Sequence, residues 1–294
     1  MKVVTTSAIP SREVNADGFS TRKGSYPGRR LFTEENTDGL NFVFVRNEFV
    51  HSGEKAFETP RHRHTFAQIK YVEKGESNFA AGQFIREGEI AYFPRMAYYG
   101  PQFQENCISN VIQFGFNGEH QKGPIWEAYR TEALARLNER GRIEGGQYFD
   151  VDLNTGTERV RDGVQAVYEE QYRMHTGQPL VARPPRYESV ILMHPGEFDW
   201  FEIAPGVAIK RLGAFFDQPG PNGDVRISMV RLDKGASFNL AADRPQLAWT
   251  PSAGLVTDGT GHKEFTSLYC PLGEEGSFAG DGVKVILVEF PRLG

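Results

Sequence analysis

Short runs of apolar and aromatic residues, separated by Gly, Pro or charged turns, fill most of this 294-residue chain. In the first half such runs occupy residues 40–45, 66–72, 76–80, 89–93 and 109–116. In the second half they occupy residues 207–212, 225–232, 247–250, 254–256, 266–269 and 283–290. Regularly spaced short strands with turns between them are typical of sandwiches and small barrels. The sequence therefore predicts an all-β, mainly antiparallel protein whose two halves share one architecture.

The segment between the two halves has a different pattern. Apolar residues recur at helical spacing in 125–140 and again in 160–175, and Gly141 and Gly177 follow them as stop signals. A chain of 294 residues is long enough for two domains of ordinary size. We therefore expect a first barrel at residues 1–121, a helical connector at 122–180 and a second barrel at 181–294.

Charge and hydropathy exclude two classes of partner. The formal net charge is −5, and no basic stripe overrides it, so we expect no nucleic acid partner. No stretch reaches the apolar length that spans a bilayer, and the first residues lack the apolar core of a leader peptide. We expect a cytoplasmic protein without membrane contact.

Two histidines carry the strongest chemical signal. His62 and His64 are two positions apart, and such residues on a strand point to the same face. Both imidazoles would then reach one point inside a barrel, which is how a strand builds a two-histidine metal site. Gln68 has the same parity, so we expect its amide oxygen to face the same cavity. The alternative is a surface histidine pair in a basic loop, because Arg61 and Arg63 flank the histidines.

These residues resemble the first motif of the cupin superfamily, in which an HxH is followed by an acid and then by a glycine, here Gly75. Residues 88–99 resemble the second motif, in which a Gly, a Pro and usually a second Gly lead to a last histidine. Gly88 and Pro94 are present, and Met96 stands where the second glycine is usual. The resemblance implies a bicupin, with two jelly-roll barrels of which the second is degenerate.

Two ligand positions depart from the cupin pattern, because Gln68 replaces the acid and Tyr99 replaces the last histidine. The ligand set implied by the resemblance is therefore His62, His64, Gln68 and Tyr99. Glutamine is a workable oxygen donor, and Tyr99 either ligates as phenolate or orients the substrate. We expect one divalent transition metal, Fe first, with Mn, Zn, Ni or Cu as alternatives. A metal-free pocket for an organic ligand and a purely structural histidine pair are the other interpretations.

Aromatic residues crowd the same motifs and predict a cavity with apolar walls. The expected lining residues are Phe66, Tyr71, Tyr92, Tyr98 and Phe114. The sequence leaves open whether Tyr98 or Tyr99 faces the metal, since one residue of register decides it.

Gln113 is a polar residue in a run that is otherwise apolar or small. It either faces inward, as a second catalytic candidate beside Tyr99, or faces water at a strand edge. The two alternatives stand equal at this point.

The second half keeps the barrel pattern without the ligands. No HxH follows Gly235, and no histidine follows Pro271 and Gly273, where the two motifs would place them. The expected roles of this half are packing against the first barrel, covering its mouth, or forming a homodimer contact.

Three functions fit these expectations, each with a small organic molecule as partner. By resemblance, the first is a metal-dependent oxygenase acting on an oxygenated or aromatic compound, since a two-histidine site leaves positions open for substrate and O₂. The second is a non-redox lyase or isomerase, in which the metal polarises a carbonyl or hydroxyl group and Tyr99 or a histidine moves the proton. The third is ligand binding without catalysis. We expect an enzyme, and an oxygenase ahead of a lyase or isomerase.

Overall fold

The computed structural model describes residues 1–14, 22–115, 129–181, 184–217 and 221–292. Within these residues the protein consists mostly of antiparallel sheets, with two α-helices between the two groups of strands. This confirms the predicted all-β class. None of the described helices is long and apolar enough to cross a membrane.

The bounds of the elements follow the apolar runs closely and add short strands at the turns. The helices are α1 (Arg130–Asn138) and α2 (Gly163–Thr176). The strands of the first group are β1 (Lys2–Thr5), β2 (Arg12–Val14), β3 (Tyr26–Phe32), β4 (Phe42–Phe49), β5 (Phe57–Thr59), β6 (Ala67–Lys74), β7 (Glu76–Ala80), β8 (Gln83–Arg86), β9 (Ile90–Phe93), β10 (Gln102–Gln104) and β11 (Cys107–Phe114). Between and around the helices lie β12 (Gly141–Glu144), β13 (Gln147–Val151) and β14 (Glu158–Asp162). The remaining strands are β15 (Ile191–Met193), β16 (Phe201–Ala204), β17 (Val207–Phe216), β18 (Asp224–Leu232), β19 (Ser237–Leu240), β20 (Gln246–Thr250), β21 (Val256–Thr257), β22 (Thr260–Gly261), β23 (Thr266–Cys270), β24 (Gly276–Ala279) and β25 (Val283–Glu289).

The chain divides into two compact units whose bounds differ from the predicted domains. One, the histidine unit, comprises Ser11–Gly28 and Asn41–Leu192; the other, the C-terminal unit, comprises Met1–Pro10, Arg29–Leu40 and Met193–Gly294. The start of the chain joins the C-terminal unit because β1 pairs antiparallel with β23, from Lys2 opposite Tyr269 to Thr5 opposite Thr266. The predicted boundary at 121/122 lies outside the described residues.

The main sheet of the histidine unit has the strand order β15-β9-β6-β11-β4-β3-β2. Its register defines two faces. Gln68 on β6 lies opposite Phe93 on β9 and Gln113 on β11, so these side chains share one face, which we call the Gln68 face. Ile69 and its partners occupy the other face. Both faces are buried over β6, which explains why that strand is a continuous rather than an alternating run.

The connector contains a small sheet as well as helices. Strands β12, β13 and β14 form a three-stranded antiparallel sheet between α1 and α2. Gly141, expected as a helix stop, begins β12, and the Gly145-Gly146 turn leads into β13. Gly177 ends α2 in the left-handed conformation with φ of +70°, as the sequence predicts. The prediction of a purely helical connector therefore missed these three short strands, whose residues are largely exposed.

The C-terminal unit has a second seven-stranded sheet, of order β1-β23-β20-β25-β18-β17-β16. Its buried core consists mainly of Val, Leu and Ile side chains from β17, β18, β23 and β25. In the described part of the chain, no group of three or more His, Cys, Asp or Glu residues is arranged to hold a metal ion.

Candidate metal centre

His62 and Tyr99 form the centre of the site. They face each other across an isolated antiparallel bridge, in which each backbone N–H donates to the other residue's carbonyl oxygen over 2.9 Å. Directly opposed residues of an antiparallel pair point to the same side. Their rings accordingly meet, with centroids 4.3 Å apart. Tyr99, rather than Tyr98, therefore lies with the histidines.

His64 completes the pair. Its ring centroid is 4.9 Å from that of His62, and the ring stacks on Phe66 at 4.3 Å with an interplanar angle of 10°. The carbonyl oxygen of His64 accepts a 2.7 Å hydrogen bond from the backbone N–H of Met96, which has a φ of +64°. Met96 thus keeps the left-handed backbone that the usual glycine of the second motif adopts readily.

The environment of His62 prepares one ring nitrogen for ligation. Its Nδ1 lies 2.8 Å from the carbonyl oxygen of Pro60, which can only accept, so Nδ1 carries the proton and Nε2 keeps its lone pair. The side chain is buried, and burial lowers the pKa of His62 to about 4. A neutral imidazole with its other nitrogen hydrogen-bonded to a carbonyl is the usual state of a metal ligand.

Gln68 and Gln113 form a side-chain pair on the Gln68 face. The Nε2 amide of Gln113 donates a 3.0 Å hydrogen bond to Oε1 of Gln68. This orientation places Gln113 with the inward-facing residues rather than at a solvent-facing edge. A carbonyl oxygen accepts along two lone pairs, so Oε1 of Gln68 keeps capacity for a second partner.

The exposed residues of the histidine segment follow the expected alternation. Tyr98 is 46% exposed, and the guanidinium groups of Arg61 and Arg63 lie 4.6 and 4.7 Å from its ring centroid. Tyr98 is therefore placed on the outside with the two arginines, while its neighbour Tyr99 is buried. A one-residue step along a strand reverses the face, and this step separates Tyr98 from the lining in which the sequence places it.

Three other residues of the expected lining occupy the far face of the sheet. Tyr71 and Tyr92 share the face of Ile69, and Phe114 lies opposite Ala67 on that same face. They are buried there, with Tyr92 packed edge-on against Tyr187 at 5.9 Å. When both faces of a sheet are buried, aromatic residues occur on both, and the sequence does not show which face each one occupies. The prediction therefore assigned all of them to the cavity lining.

A buried ion pair that the sequence did not reveal acts on the site. Arg22 and Asp162 form a bidentate pair; Nη2 of Arg22 lies 3.0 Å from Oδ2 of Asp162, and both side chains are buried. Asp162 also caps α2 by accepting from the Gln165 amide at 2.8 Å. Burial raises the pKa of Tyr99, with smaller opposing contributions from Arg22 and Asp162. The sequence can predict Asp162 as a helix cap, because it lies directly before α2. It does not predict the ion pair, because Arg22 is 140 positions away.

Lys70 is a second unanticipated charge. It lies two positions after Gln68 on the same face, is 6% exposed, and donates to Oγ of Ser77 over 3.2 Å. Burial lowers the pKa of Lys70 to about 8. The sequence signal was a lysine within the run 66–72, whose other residues are apolar or aromatic apart from Gln68.

The donor set fits a two-histidine metal centre. His62 and His64 would supply the nitrogen ligands, and the ring of Tyr99 lies beside both, at centroid distances of 4.3 and 5.8 Å. No carboxylate joins them, since no group of three or more His, Cys, Asp or Glu residues is arranged to hold a metal in the described ranges. Such a set suits a borderline transition metal and leaves coordination positions open.

Solved structures of cupin-type proteins match nearly the whole chain. Protein YlbA from E. coli aligns with a TM-score of 0.55 at 11% identity, over 98% of this chain and 89% of its own. Oxalate decarboxylase from Bacillus subtilis aligns with 0.53 at 11% identity, over 100% and 78%. Quercetin 2,3-dioxygenase from Acinetobacter baumannii aligns with 0.50 at 9% identity, over 99% and 86%.

The fold is therefore that of the cupin jelly-roll proteins, including two-barrel members, as the two motifs predict. No protein-family model matches the sequence, and no curated protein matches it.

Proposed function

We propose that this protein is a metal-dependent enzyme that acts on a small oxygenated or aromatic organic molecule, and that the reaction is an oxygenation. The observation that carries the proposal is the His62–His64 pair, whose ring centroids are 4.9 Å apart. A hydrogen bond to Pro60 directs His62 Nε2 away from the backbone.

His62 and His64 would hold one divalent transition metal, with Oε1 of Gln68 as a neutral oxygen ligand. When bound, the metal activates O₂ or polarises an oxygen of the substrate. Support comes from the structural neighbours, since the oxalate decarboxylase has Mn(II) centres and the quercetin enzyme is a dioxygenase. Iron is the metal that oxygenase chemistry favours at such a site.

Tyr99 acts as a hydrogen-bond donor to the substrate in this proposal. Burial raises the pKa of its phenol, so the group stays protonated and donates. Its ring contacts both His62 and Phe93, at centroid distances of 4.3 and 4.7 Å, which holds the phenol ring beside the histidine pair. A donor on this ring would orient an oxygen of the substrate at the histidine pair.

A non-redox lyase or isomerase is the second candidate. The observation that favours it is the neutral oxygen donor Gln68, because a metal without a carboxylate ligand stays more electrophilic. The phenol of Tyr99 would then donate its proton to the substrate and take one back from the substrate or solvent to complete the cycle. A dependence of turnover on O₂ separates this candidate from the oxygenase.

The test compares two adjacent tyrosines. Protein reconstituted with Fe(II) is screened against small phenols, hydroxy acids and keto acids in an oxygen electrode. We expect O₂ uptake with at least one class, and a kcat reduced about 100-fold in Tyr99→Phe, the scale of a lost hydrogen-bond donor to the reacting group. Tyr98→Phe, altered on the exposed side, should retain wild-type kcat.

Turnover that is equal in the presence and absence of O₂ would support the lyase or isomerase instead. Equal kcat values for Tyr99→Phe and the wild type would contradict the role assigned to Tyr99.

A further inference from the structure

Lys70 is a charge inside the barrel without a counter-ion. In the part of the chain that the structure describes, its side chain makes one hydrogen bond, to Ser77, and no ion pair with a carboxylate. Its Nζ also lies 5.6 Å from the centroid of the Phe93 ring, and the thiol of Cys107 is close enough to act on its charge. A buried ammonium with two unused donors destabilises the folded state unless a partner supplies the missing charge.

Ser109 is a neighbour of Lys70, and its hydroxyl group has no hydrogen-bond partner in the described residues. It pairs with Val72 on the strand register, two pairs along from Lys70 and Val111, and therefore shares the face of Lys70. Diagonal neighbours on one face lie within reach of a long side chain. Ser109 is fully buried, and its Oγ has no hydrogen-bond partner in the described residues. An ammonium and an unpaired hydroxyl thus converge on one interior region.

The same region adjoins the candidate metal centre. Phe93 contacts Tyr99 at 4.7 Å, and Lys70 is among the charges that act on His62. A molecule that contacts the histidine pair and carries a negative group would therefore bring that group to Lys70. An ordered water fills hydrogen-bond positions but supplies no charge, whereas an anion supplies both.

We propose that Lys70, with Ser77 and Ser109, forms a binding subsite for an anionic oxygen group, so that the substrate of this barrel is a carboxylate or an acidic enol or phenol. The inference deepens the proposed function, because it assigns a charge class to the substrate of the same site. Lys70 is a substrate-binding residue in this account, and the aromatic rings of Phe79 and Phe93 suit a carboxylate with an apolar body.

The experiment measures binding of benzoate and of neutral benzamide by calorimetry, on protein freed of metal with a chelator. We expect benzoate to bind wild type and to bind Lys70→Met at least about tenfold more weakly, the loss typical of a charged hydrogen bond. Benzamide should bind all variants equally weakly. Lys74→Met is the matched control, since Lys74 is exposed on the same strand, and it should bind benzoate as wild type does.

Ser109→Ala gives an independent arm. An unpaired hydroxyl does not stabilise the fold, so this variant should keep the wild-type melting temperature and lose several-fold in benzoate affinity. If Lys70→Met does not fold, the benzoate affinity of Ser109→Ala tests the subsite in its place.

Benzoate affinity that is unchanged in Lys70→Met, or in Ser109→Ala if the first does not fold, would overturn the subsite. Failure of benzoate to bind wild-type protein at tens of millimolar would do so too. Metal binding is measured separately on the same samples. If the protein binds no metal but binds benzoate in a way that depends on Lys70, only the proposed function is overturned. If it binds metal but its benzoate affinity does not depend on Lys70, only the subsite is overturned.

Discussion

Burial determines the chemistry of His62. The imidazole is 3% exposed, and its Nδ1 proton is committed to the carbonyl of Pro60. Burial penalises the charged ring and lowers the pKa of His62 to about 4. The side chain is therefore a neutral nitrogen donor over the physiological pH range, which is the state that a metal ligand requires.

The same shift predicts how stability depends on pH in metal-free protein. An unfolded histidine titrates near 6.5, so between about pH 6.5 and 4 the unfolded state binds more protons than the folded state. The free energy of unfolding should therefore fall as pH is lowered through this window, by about 3 kcal/mol from His62 alone. Urea denaturation in the presence of a chelator measures it.

His62→Gln should remove most of that pH dependence, and His51→Gln should keep it, because the side chain of His51 is one-third exposed. An unchanged profile in His62→Gln would show that another group causes the slope.

The sequence alone places His62, His64 and Gln68 together by the parity of one regular strand. In the structure β6 begins at Ala67 and His62 lies in an isolated bridge, so no single strand joins the histidines to Gln68, although the two histidine rings do lie 4.9 Å apart. The choice between Tyr98 and Tyr99 required the bridge that sets Tyr99 opposite His62. Arg22 and Lys70 gain their importance from burial, which a local pattern does not reveal.

At the scale of elements, the turn after β6 fixes the strand that carries Gln68 and Lys70. Gly75 has a φ of +75°, and a Cβ added there would lie 2.3 Å from the carbonyl oxygen of Asn106. The sequence motif predicted a glycine that closes this hairpin, and the structure supplies two reasons for it. One is the left-handed backbone, and the other is the close approach of the chain before β11.

Gly75→Ala should therefore destabilise the protein more than Gly82→Ala. Gly82 has a similar φ of +70° but nothing within 4 Å of an added Cβ, so its replacement costs only the backbone strain of about 1–2 kcal/mol. Gly75→Ala adds a clash with backbone and should cost on the order of 3 kcal/mol or more. Urea denaturation of both variants measures the difference. Equal losses of unfolding free energy in the two variants would show that the backbone near Asn106 moves to accommodate the added Cβ without cost.

The strands of both halves could be predicted from their apolar runs because burial within a sheet imposes a short, dense apolar pattern. The bounds of β7, from Glu76 to Ala80, match the predicted run residue for residue. The small sheet β12–β14 was missed because its residues are largely exposed and carry charge, so no apolar pattern distinguishes it from a loop. Its strands are held together partly by ion pairs, such as Arg159 with Asp150 at 2.7 Å.

At the scale of the whole molecule, the order of the chain does not match the division into compact units. Residues 1–10 and 29–40 belong to the C-terminal unit, while residues 11–28 belong to the histidine unit. Pairing of β1 with β23 joins positions more than 260 residues apart, and no local pattern encodes such a contact. The two-barrel architecture could be predicted from repeated strand texture, but the early segments could not be assigned to their barrel.

The two units also differ in the chemistry they can support. The histidine unit contains His62, His64, Gln68 and Tyr99, all supplied by the segments that resemble the two cupin motifs. In the C-terminal unit no HxH pair follows Gly235 and no histidine follows Pro271. The proposed metal chemistry therefore belongs to the histidine unit alone, with one metal per chain.

Metal analysis of the purified protein tests this account most directly. Wild type, His62→Ala/His64→Ala and the control His51→Ala are each reconstituted with Fe(II), freed of excess metal and analysed for metal per chain. The account predicts close to one equivalent in wild type and in His51→Ala, and loss of that metal in the double variant. Metal in wild type no higher than in the double variant, after reconstitution with Fe(II), Mn(II), Zn(II), Ni(II) and Cu(II) in turn, would contradict it.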